Sequence, residues 1–549
     1  MSPFVFACSA AILLGCIVRA RPVLLADFPL NDGGLFYQMT EELQHANYRL
    51  PSYTEYNGVG IPFAYPPLAF YAAGFLADAG SVDLAQVVRL LPLVTACATL
   101  VAFLLLARSM LSRHIAIVAA VTAFALMPRS FTWLIMGGGL TRAFGFLFTI
   151  LALHQAHLLF TRRQLKFAVS AGLFAGLTPL SHLGTVPFLA ASLALFFIAY
   201  GRHREGLIGA VIIGALTLAL SAPWWVTIVR EHGLAPFHAA GQTGPSVFSS
   251  GAARRTVLGH LARFGGLSMG EPLFPVLGVL AVAGALVSLR NRAFPIPAWW
   301  VMTFIIDVRA GETYATIPAA LLAGIGVHDV LLPLLARRQG TPHAEAVQSV
   351  DGGSYHGADP LTSWSYLSRH WFSAAVVGFL VAYCSLAALA RDADFGTDAA
   401  YLTSLSRDER DAMSWVALHT APTSRFFVVP EAAWQADKVA EWFPVLARRA
   451  SVATVQGREW IDDGGFDRYT ELYKTARQCA GRDTRCVDEW SSAAGTTFSH
   501  VFVPKAPNWE CCRLLRTTLR SDPRYRLVFD GAGAEVFARE WDGDARTAP

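Results

Sequence analysis

Asp32, in Asn31-Asp32-Gly33-Gly34-Leu35-Phe36-Tyr37, is the residue best placed for chemistry in the first half of the chain. It opens an acidic, polar stretch with Asp27, Glu41, Glu42 and Glu55, opposed only by Arg49. A carboxylate can take a proton from an attacking hydroxyl, and Gly33-Gly34 lets another group approach the backbone closely. Leu35, Met39 and Leu43 recur at helical spacing, so Leu35 to Ala46 reads as an amphipathic helix beginning just after Asp32. Two compatible roles follow. Asp32 or Asn31 caps that helix, and Asp32 is a general base whose anion the helix dipole favours.

Other candidates lie in polar connections. The run from Tyr56-Asn57-Gly58 to Tyr65-Pro66-Pro67 is dense in aromatic, Gly and Pro residues, as interfacial anchors or as a shaped loop. Arg129, Arg142, His182, Arg230, Arg254, Arg255, Arg263 and Arg309 fall at the ends of apolar segments or in the loops between them. Arginine suits bidentate phosphate binding, and its bland alternative is snorkelling to headgroups. Substrate contacts are expected from Asp27, Glu55, Tyr56, Asn57, Tyr65, His182 and Glu312. Gly137-Gly138-Gly139 lacks the Gly-Lys of a phosphate loop. Asp392-Ala393-Asp394 and Asp542-Gly543-Asp544 match a three-residue metal–nucleotide pattern in solvent-type sequence, which carries little weight. No metal site or cofactor is expected.

These residues need a membrane scaffold. Of 549 residues, 54% are hydrophobic and 15% charged, against roughly 25% charged in soluble domains. The net charge of +4 is small, and no nucleic-acid partner is expected. Apolar segments at 4–25, 84–107, 114–128, 141–160, 165–179, 184–200, 206–224, 273–289, 295–308, 315–336 and 371–390 predict about eleven spans. The first has no basic residues before it and reads as an uncleaved span rather than a signal peptide. Arg108 and Arg113, Arg162, Arg163 and Lys166, Arg202 and Arg204, Arg290 and Arg292, and Arg337, Arg338 and Arg369 fall in alternate loops. The positive-inside bias makes those loops cytoplasmic, against a local vote from Arg19 and Arg21. The N-terminus is then inside, a loop at 26–66 outside, a loop at 337–370 inside, and the tail outside.

The tail, 391–549, differs in kind. Ser406-Arg407-Asp408-Glu409 is a capping box opening a helix to about His419. Phe426–Val429, Ser451–Val455, Phe498–Val503 and Arg526–Phe529 read as strands, with helices near 465–479 and 509–519 between them. A small soluble α/β domain is expected. Cys479, Cys486, Cys511 and Cys512 predict two disulfides in an oxidising compartment, with three pairings open. Cys8, Cys16, Cys97 and Cys384 read as small apolar residues in the spans.

Taken together, residues 1–390 resemble the GT-C membrane glycosyltransferases, the group of the protein O-mannosyltransferases and aminoarabinose transferases. The resemblance rests on a first span followed by a long outer loop with Asp32 near its start. Tyr65-Pro66-Pro67-Leu68-Ala69-Phe70-Tyr71 is similar to the family's His-Pro-Pro-Leu-Tyr-Tyr type element. Arg309, Tyr314, Pro318 and Leu321-Leu322-Ala323-Gly324 resemble its late element. Gly33 stands where a second acid is common, which argues against a metal pair there, and Tyr65 stands where His is common. The resemblance implies an all-α polytopic membrane protein with the α/β tail on its outer face, integral to a bacterial plasma membrane. It implies a polyprenyl-phosphate sugar as donor and a lipid, glycan or protein hydroxyl as acceptor. Asp32 would be the base of an inverting transfer, with Arg309 and Arg129 or Arg142 on the leaving phosphate. A transporter or lipid flippase, or a non-catalytic assembly subunit in which Asp32 is only a cap, are the alternatives.

Overall fold

The computed structural model describes residues 2–243, 275–306, 311–338, 371–389, 402–461, 465–505 and 511–540. All eleven expected apolar segments form helices. Among the described residues six helices are long and apolar enough to cross a membrane: Pro3–Leu25, Leu84–Met110, Gly139–Arg162, Leu183–Tyr200, Arg204–His232 and Gly311–Leu335. Others are shorter, such as Pro295–Ile306 with 12 residues and Val276–Arg290 with 15. Length and composition of the described residues support six crossings, where eleven were expected. The sequence reading also lacks one apolar helix, Leu68–Gly80, directly after the Pro66-Pro67 pair. The expected cytoplasmic loop 337–370 lies almost wholly outside the described residues.

Gly139–Arg162 is the central helix, packed against Leu84–Met110 and Lys166–Ser181. Its apolar window is 67% buried inside the protein, the largest share among the six. Small residues set the close crossings. A Cβ on Gly172 would lie 2.7 Å from Leu216, so Lys166–Ser181 and Arg204–His232 touch only because glycine is there. Arg19, expected at the outer end of the first span, is in the last part of that helix and buried, at 1% exposure. Its guanidinium donates to the carbonyls of Gly15 and Ala125, at 3.0 and 2.7 Å, and to Ser130 Oγ at 3.0 Å. These bonds satisfy a cation that would otherwise be costly at this depth, and tie the first helix to the turn Pro128–Ser130.

In the first loop β1 (Tyr53–Thr54) pairs antiparallel with β2 (Ile61–Pro62). Beyond Leu402 the chain forms an α/β unit. Its five-stranded sheet has the order β4 (Ala450–Ser451), β3 (Arg425–Val428), β5 (His500–Pro504), β7 (Ala534–Arg539), β6 (Tyr525–Asp530). β3 pairs in parallel with β4 and β5, whereas β7 runs antiparallel to β5 and β6. The expected capping box is present: Ser406 Oγ accepts from Glu409 N, and Glu409 accepts from Ser406 N, opening Arg407–His419. Helices Phe466–Gln478 and Arg513–Ser521 match expectation, the latter starting later than predicted. β7 and the helices Lys438–Leu446 and Thr484–Ala494 are additional. Cys479 pairs with Cys486 and Cys511 with Cys512, and Cys8, Cys16, Cys97 and Cys384 are not disulfide-bonded. An antiparallel bridge between Leu30 and Ser404 stitches this unit to the first loop, so the two lie on one side of the helix bundle.

Candidate functional site

The helix after Asp32 spans Gly34–His45, as the spacing of Leu35, Met39 and Leu43 requires. Its N-terminus departs from expectation. Gly33 occupies the cap position with φ of 115°, and no side chain at that position caps the helix. Asn31 is also left-handed, with φ of 51°, and its amide reaches toward Gln435 O at 3.5 Å. Neither Asn31 nor Asp32 therefore caps its own helix. The two left-handed residues around Asp32 turn its carboxylate to another helix altogether. Oδ1 accepts from Gly138 N at 2.7 Å and Oδ2 from Arg142 Nη2 at 2.5 Å. Gly138 is the cap position of Gly139–Arg162, and Arg142 is in its first turn. The carboxylate thus meets an unsatisfied helix N–H, the positive end of a dipole and a guanidinium together. That guanidinium also lies over the Trp133 ring, 5.3 Å from its centroid.

The glycines on both sides serve this contact. A Cβ on Gly33 would fall 2.8 Å from the Gly137 backbone, and one on Gly138 would fall 2.6 Å from Asp32 Cγ. Gly137-Gly138-Gly139 is the surface against which Asp32 is seated.

The tail supplies a residue that the sequence did not reveal. Glu441, on Lys438–Leu446, accepts from Gly33 N through Oε1 at 2.8 Å, and its charge also draws on the Leu35 amide. A second acid therefore approaches the Asp32 loop, from 408 positions beyond Gly33 rather than from position 33 itself. Burial first, and the Asp32 charge second, push the Glu441 carboxyl well above the usual carboxylate range, while Arg142 pulls it down. Next to it Trp442, fully buried, donates from Nε1 to Asn31 O at 3.0 Å and packs against Phe28 and Tyr37. Among the described residues no three His, Cys, Asp or Glu side chains gather as a metal-binding group.

The remaining predicted residues divide by position. Tyr56, Asn57 and Tyr65 face the tail. Tyr56 donates to Glu441 O at 2.7 Å. Asn57 exchanges bonds of 2.9 and 2.6 Å with the Ser451 backbone. Tyr65 donates to Glu459 and packs on Trp460 and Phe36. Asp27 pairs with Arg410 at 2.6 Å. Glu55 is exposed, its backbone N–H held by Glu42 at 2.8 Å. His182 ends Lys166–Ser181 and bonds Thr185 Oγ1 at 2.9 Å. Arg129 is paired with Glu312 at 3.1 Å. Arg309, with Arg254, Arg255, Arg263 and both three-residue acidic motifs, lies outside the described residues. An apolar cavity of about 290 Å³, lined by Phe4, His114, Val118, Leu280, Val327 and Cys384 among others, contains none of the Asp32 set.

No family model and no curated protein matches the chain. Solved structures do. The archaeal oligosaccharyltransferase AglB from Archaeoglobus fulgidus, in complex with an inhibitory peptide and a dolichol-phosphate, superposes with a TM-score of 0.59 at 15% identity, over 91% of this chain and 69% of that one. The arabinofuranosyltransferase AftD from Mycobacteria superposes at 0.57 and 14% identity, over 98% of this chain. The chain spans 40% of the length of AftD. A likeness this extended at such low identity is one of architecture: the chain has the fold of the GT-C membrane glycosyltransferases.

Proposed function

We propose that the chain transfers a sugar from a polyprenyl-phosphate donor to a hydroxyl on the outer side of a membrane, with Asp32 as general base. The carrying observation is the seat of Asp32, 14% exposed, against the N-terminus of Gly139–Arg162 and Arg142. Each carboxylate oxygen has two acceptor sites and the structure occupies one on each, which leaves capacity for an acceptor hydroxyl. As that hydroxyl attacked the anomeric carbon, Asp32 would take its proton, and direct displacement would invert the centre. Negative charge would then build on the departing lipid phosphate. Arg142, at the rim of the same seat, and Arg309 are our candidates to offset it. Arg129 would act through its pairing with Glu312 rather than at Asp32. The dolichol-phosphate named with AglB and the sugar named with AftD supply the donor class. Membrane lipids would surround the apolar helices, and the acceptor would be a lipid, a glycan or a protein.

The engagement of both Asp32 oxygens also favours a second reading, in which Asp32 is only a clasp between the first loop and the bundle. Asp32→Asn separates the two, because asparagine keeps an acceptor for Gly138 N but is no base. Purified Asp32→Asn in nanodiscs should keep its thermal midpoint within a few degrees while transfer from undecaprenyl-phosphate-linked mannose, arabinose or aminoarabinose falls about 10²–10⁴-fold, the range for loss of a general base. Transfer at the wild-type rate would leave only the clasp.

A further inference from the structure

We propose that Glu441 is a positioning residue of the Asp32 site: the tail holds the peptide that carries the base, and the bond from Gly33 N to Glu441 strengthens when Glu441 is ionised. The inference rests on Asp32 being the base. Glu441 does not touch the reacting atoms. It grips the amide of Gly33, immediately after Asp32, at 2.8 Å. Gly33 is left-handed and pressed against Gly137, so the orientation of this one peptide decides whether Oδ1 and Oδ2 reach Gly138 and Arg142. The grip cannot relax locally. Tyr56 holds the Glu441 carbonyl from one side, and Trp442 holds the Asn31 carbonyl from the other. Residues 31 and 33, flanking the base, are therefore both fastened to one helix of the tail.

The charged and titratable groups around Glu441 come from every element packed on it. They are Asp32 and Tyr56 of the first loop, Tyr65 at its end, Arg142 of Gly139–Arg162, and Glu459 beside Tyr65. Arg142 is the cation among them and is already bonded to Asp32. A carboxylate accepts a backbone N–H in a charge-assisted bond, roughly twice as strong as the neutral acid does. Ionisation of Glu441 thus stiffens the Gly33 peptide and adds negative charge beside Asp32, where a proton must arrive. Burial and the Asp32 charge delay that ionisation toward higher pH. Turnover should therefore rise with pH on a limb that belongs to Glu441.

The test uses the full chain in nanodiscs. Glu441→Gln preserves volume and an acceptor for Gly33 but not the charge, and Glu441→Ala removes the grip. Glu431 is displaced the same way, so the infrared titration is run in a Glu431→Gln background: a protonated carboxyl should be present at neutral pH and disappear on the alkaline side, and adding Glu441→Gln should remove that band. Transfer by Glu441→Gln should stay flat at the low-pH plateau, about tenfold below the wild-type maximum. Glu441→Ala should speed hydrogen exchange at Gly33 and Leu35 at least tenfold with the affinity for undecaprenyl phosphate unchanged. An unaltered pH profile in Glu441→Gln, or unaltered Gly33 exchange in Glu441→Ala, overturns the proposal. If Asp32→Asn remains active while Gly33 exchange still responds to Glu441, the base assignment fails and the grip stands.

Discussion

Two helices of this protein begin in the same way and end up with opposite surroundings. Gly34–His45 and Gly139–Arg162 each start on glycine, and neither has a capping side chain in its own cap position. Both N-termini must still satisfy their amides, and each does so with a carboxyl from a distant part of the chain. Asp32 serves the second helix and Glu441 the first. Asp32 is partly open to solvent and has a guanidinium on it. Glu441 is enclosed by Tyr56 and the backbone of the first loop, with its neighbour Trp442 fully buried alongside. The same local device thus yields one carboxylate that stays partly open to solvent and one that is enclosed. The exchange of caps also joins the first loop, the Gly137-Gly138-Gly139 turn and the tail into one unit.

The comparison breaks most severely at Trp442. Trp442→Ala should destabilise tail docking by about 3–5 kcal/mol, the range for truncating a buried large aromatic. Limited proteolysis around residue 440 and a lowered first unfolding transition in detergent would register it. Unchanged protease resistance would mean that the tail is held elsewhere. Arg142→Lys keeps the charge but not the fork, and should cost about 1.5–3 kcal/mol in the Asp32 bond. Its expected signature is transfer reduced roughly tenfold or more with tail docking unaffected, which would isolate the open seat from the closed one. Gly138→Ala places a methyl against Asp32 and Arg142 Nη2, each about 2.6 Å away. With Gly138 at φ of −68° the effect is steric rather than conformational, about 1–3 kcal/mol for an overpacked contact, read as a lowered thermal midpoint.

The smallest effect is a pH slope. Burial, then Asp437 and Glu409, push the Glu431 carboxyl to about 8, against the pull of Lys438, and Glu441 is displaced the same way. Between the ordinary carboxylate value and about 8, the folded tail binds more protons than the unfolded chain. Stability should therefore fall as pH rises through that window. Thermal midpoints of the wild type from pH 5 to pH 8.5 should show this decline. The double variant Glu431→Gln/Glu441→Gln should flatten it, and an equal slope in that variant would remove these two groups as its source.

Much of the architecture was legible because each signal is local. A buried or lipid-facing helix needs a continuous apolar run, so all eleven segments appear where they were expected. The capping box at Ser406–Glu409 acts over three residues, and it is present as read. Strands β3, β5 and β6 follow short runs of apolar and aromatic residues. β7 escaped because Ala-Glu-Val-Phe-Ala-Arg has only two adjacent strand-forming residues, Val536 and Phe537, and Lys438–Leu446 escaped because nine residues with a proline inside are too few to declare a helical period. Tyr56, Asn57 and Tyr65 stood out by density of aromatic and turn residues, and the structure turns them toward the tail. Composition can mark a shaped loop without telling what it is shaped against.

What the sequence determined by itself is the membrane-embedded helical class, the α/β tail, and Asp32 as a carboxylate in the loop between the first two helices. Those features follow from hydropathy and periodicity, which act between near neighbours along the chain. The partners of Asp32 were decided only by the tertiary structure. Choosing Arg142 over Arg129 depends on which arginine lies one turn into a helix whose N-terminus a glycine contact brings to Asp32. Bringing Glu441 to Gly33 depends on docking two regions separated by 408 positions. Contacts of that kind carry no spacing that a linear reading can recognise, because the closed packing of the whole chain sets their geometry.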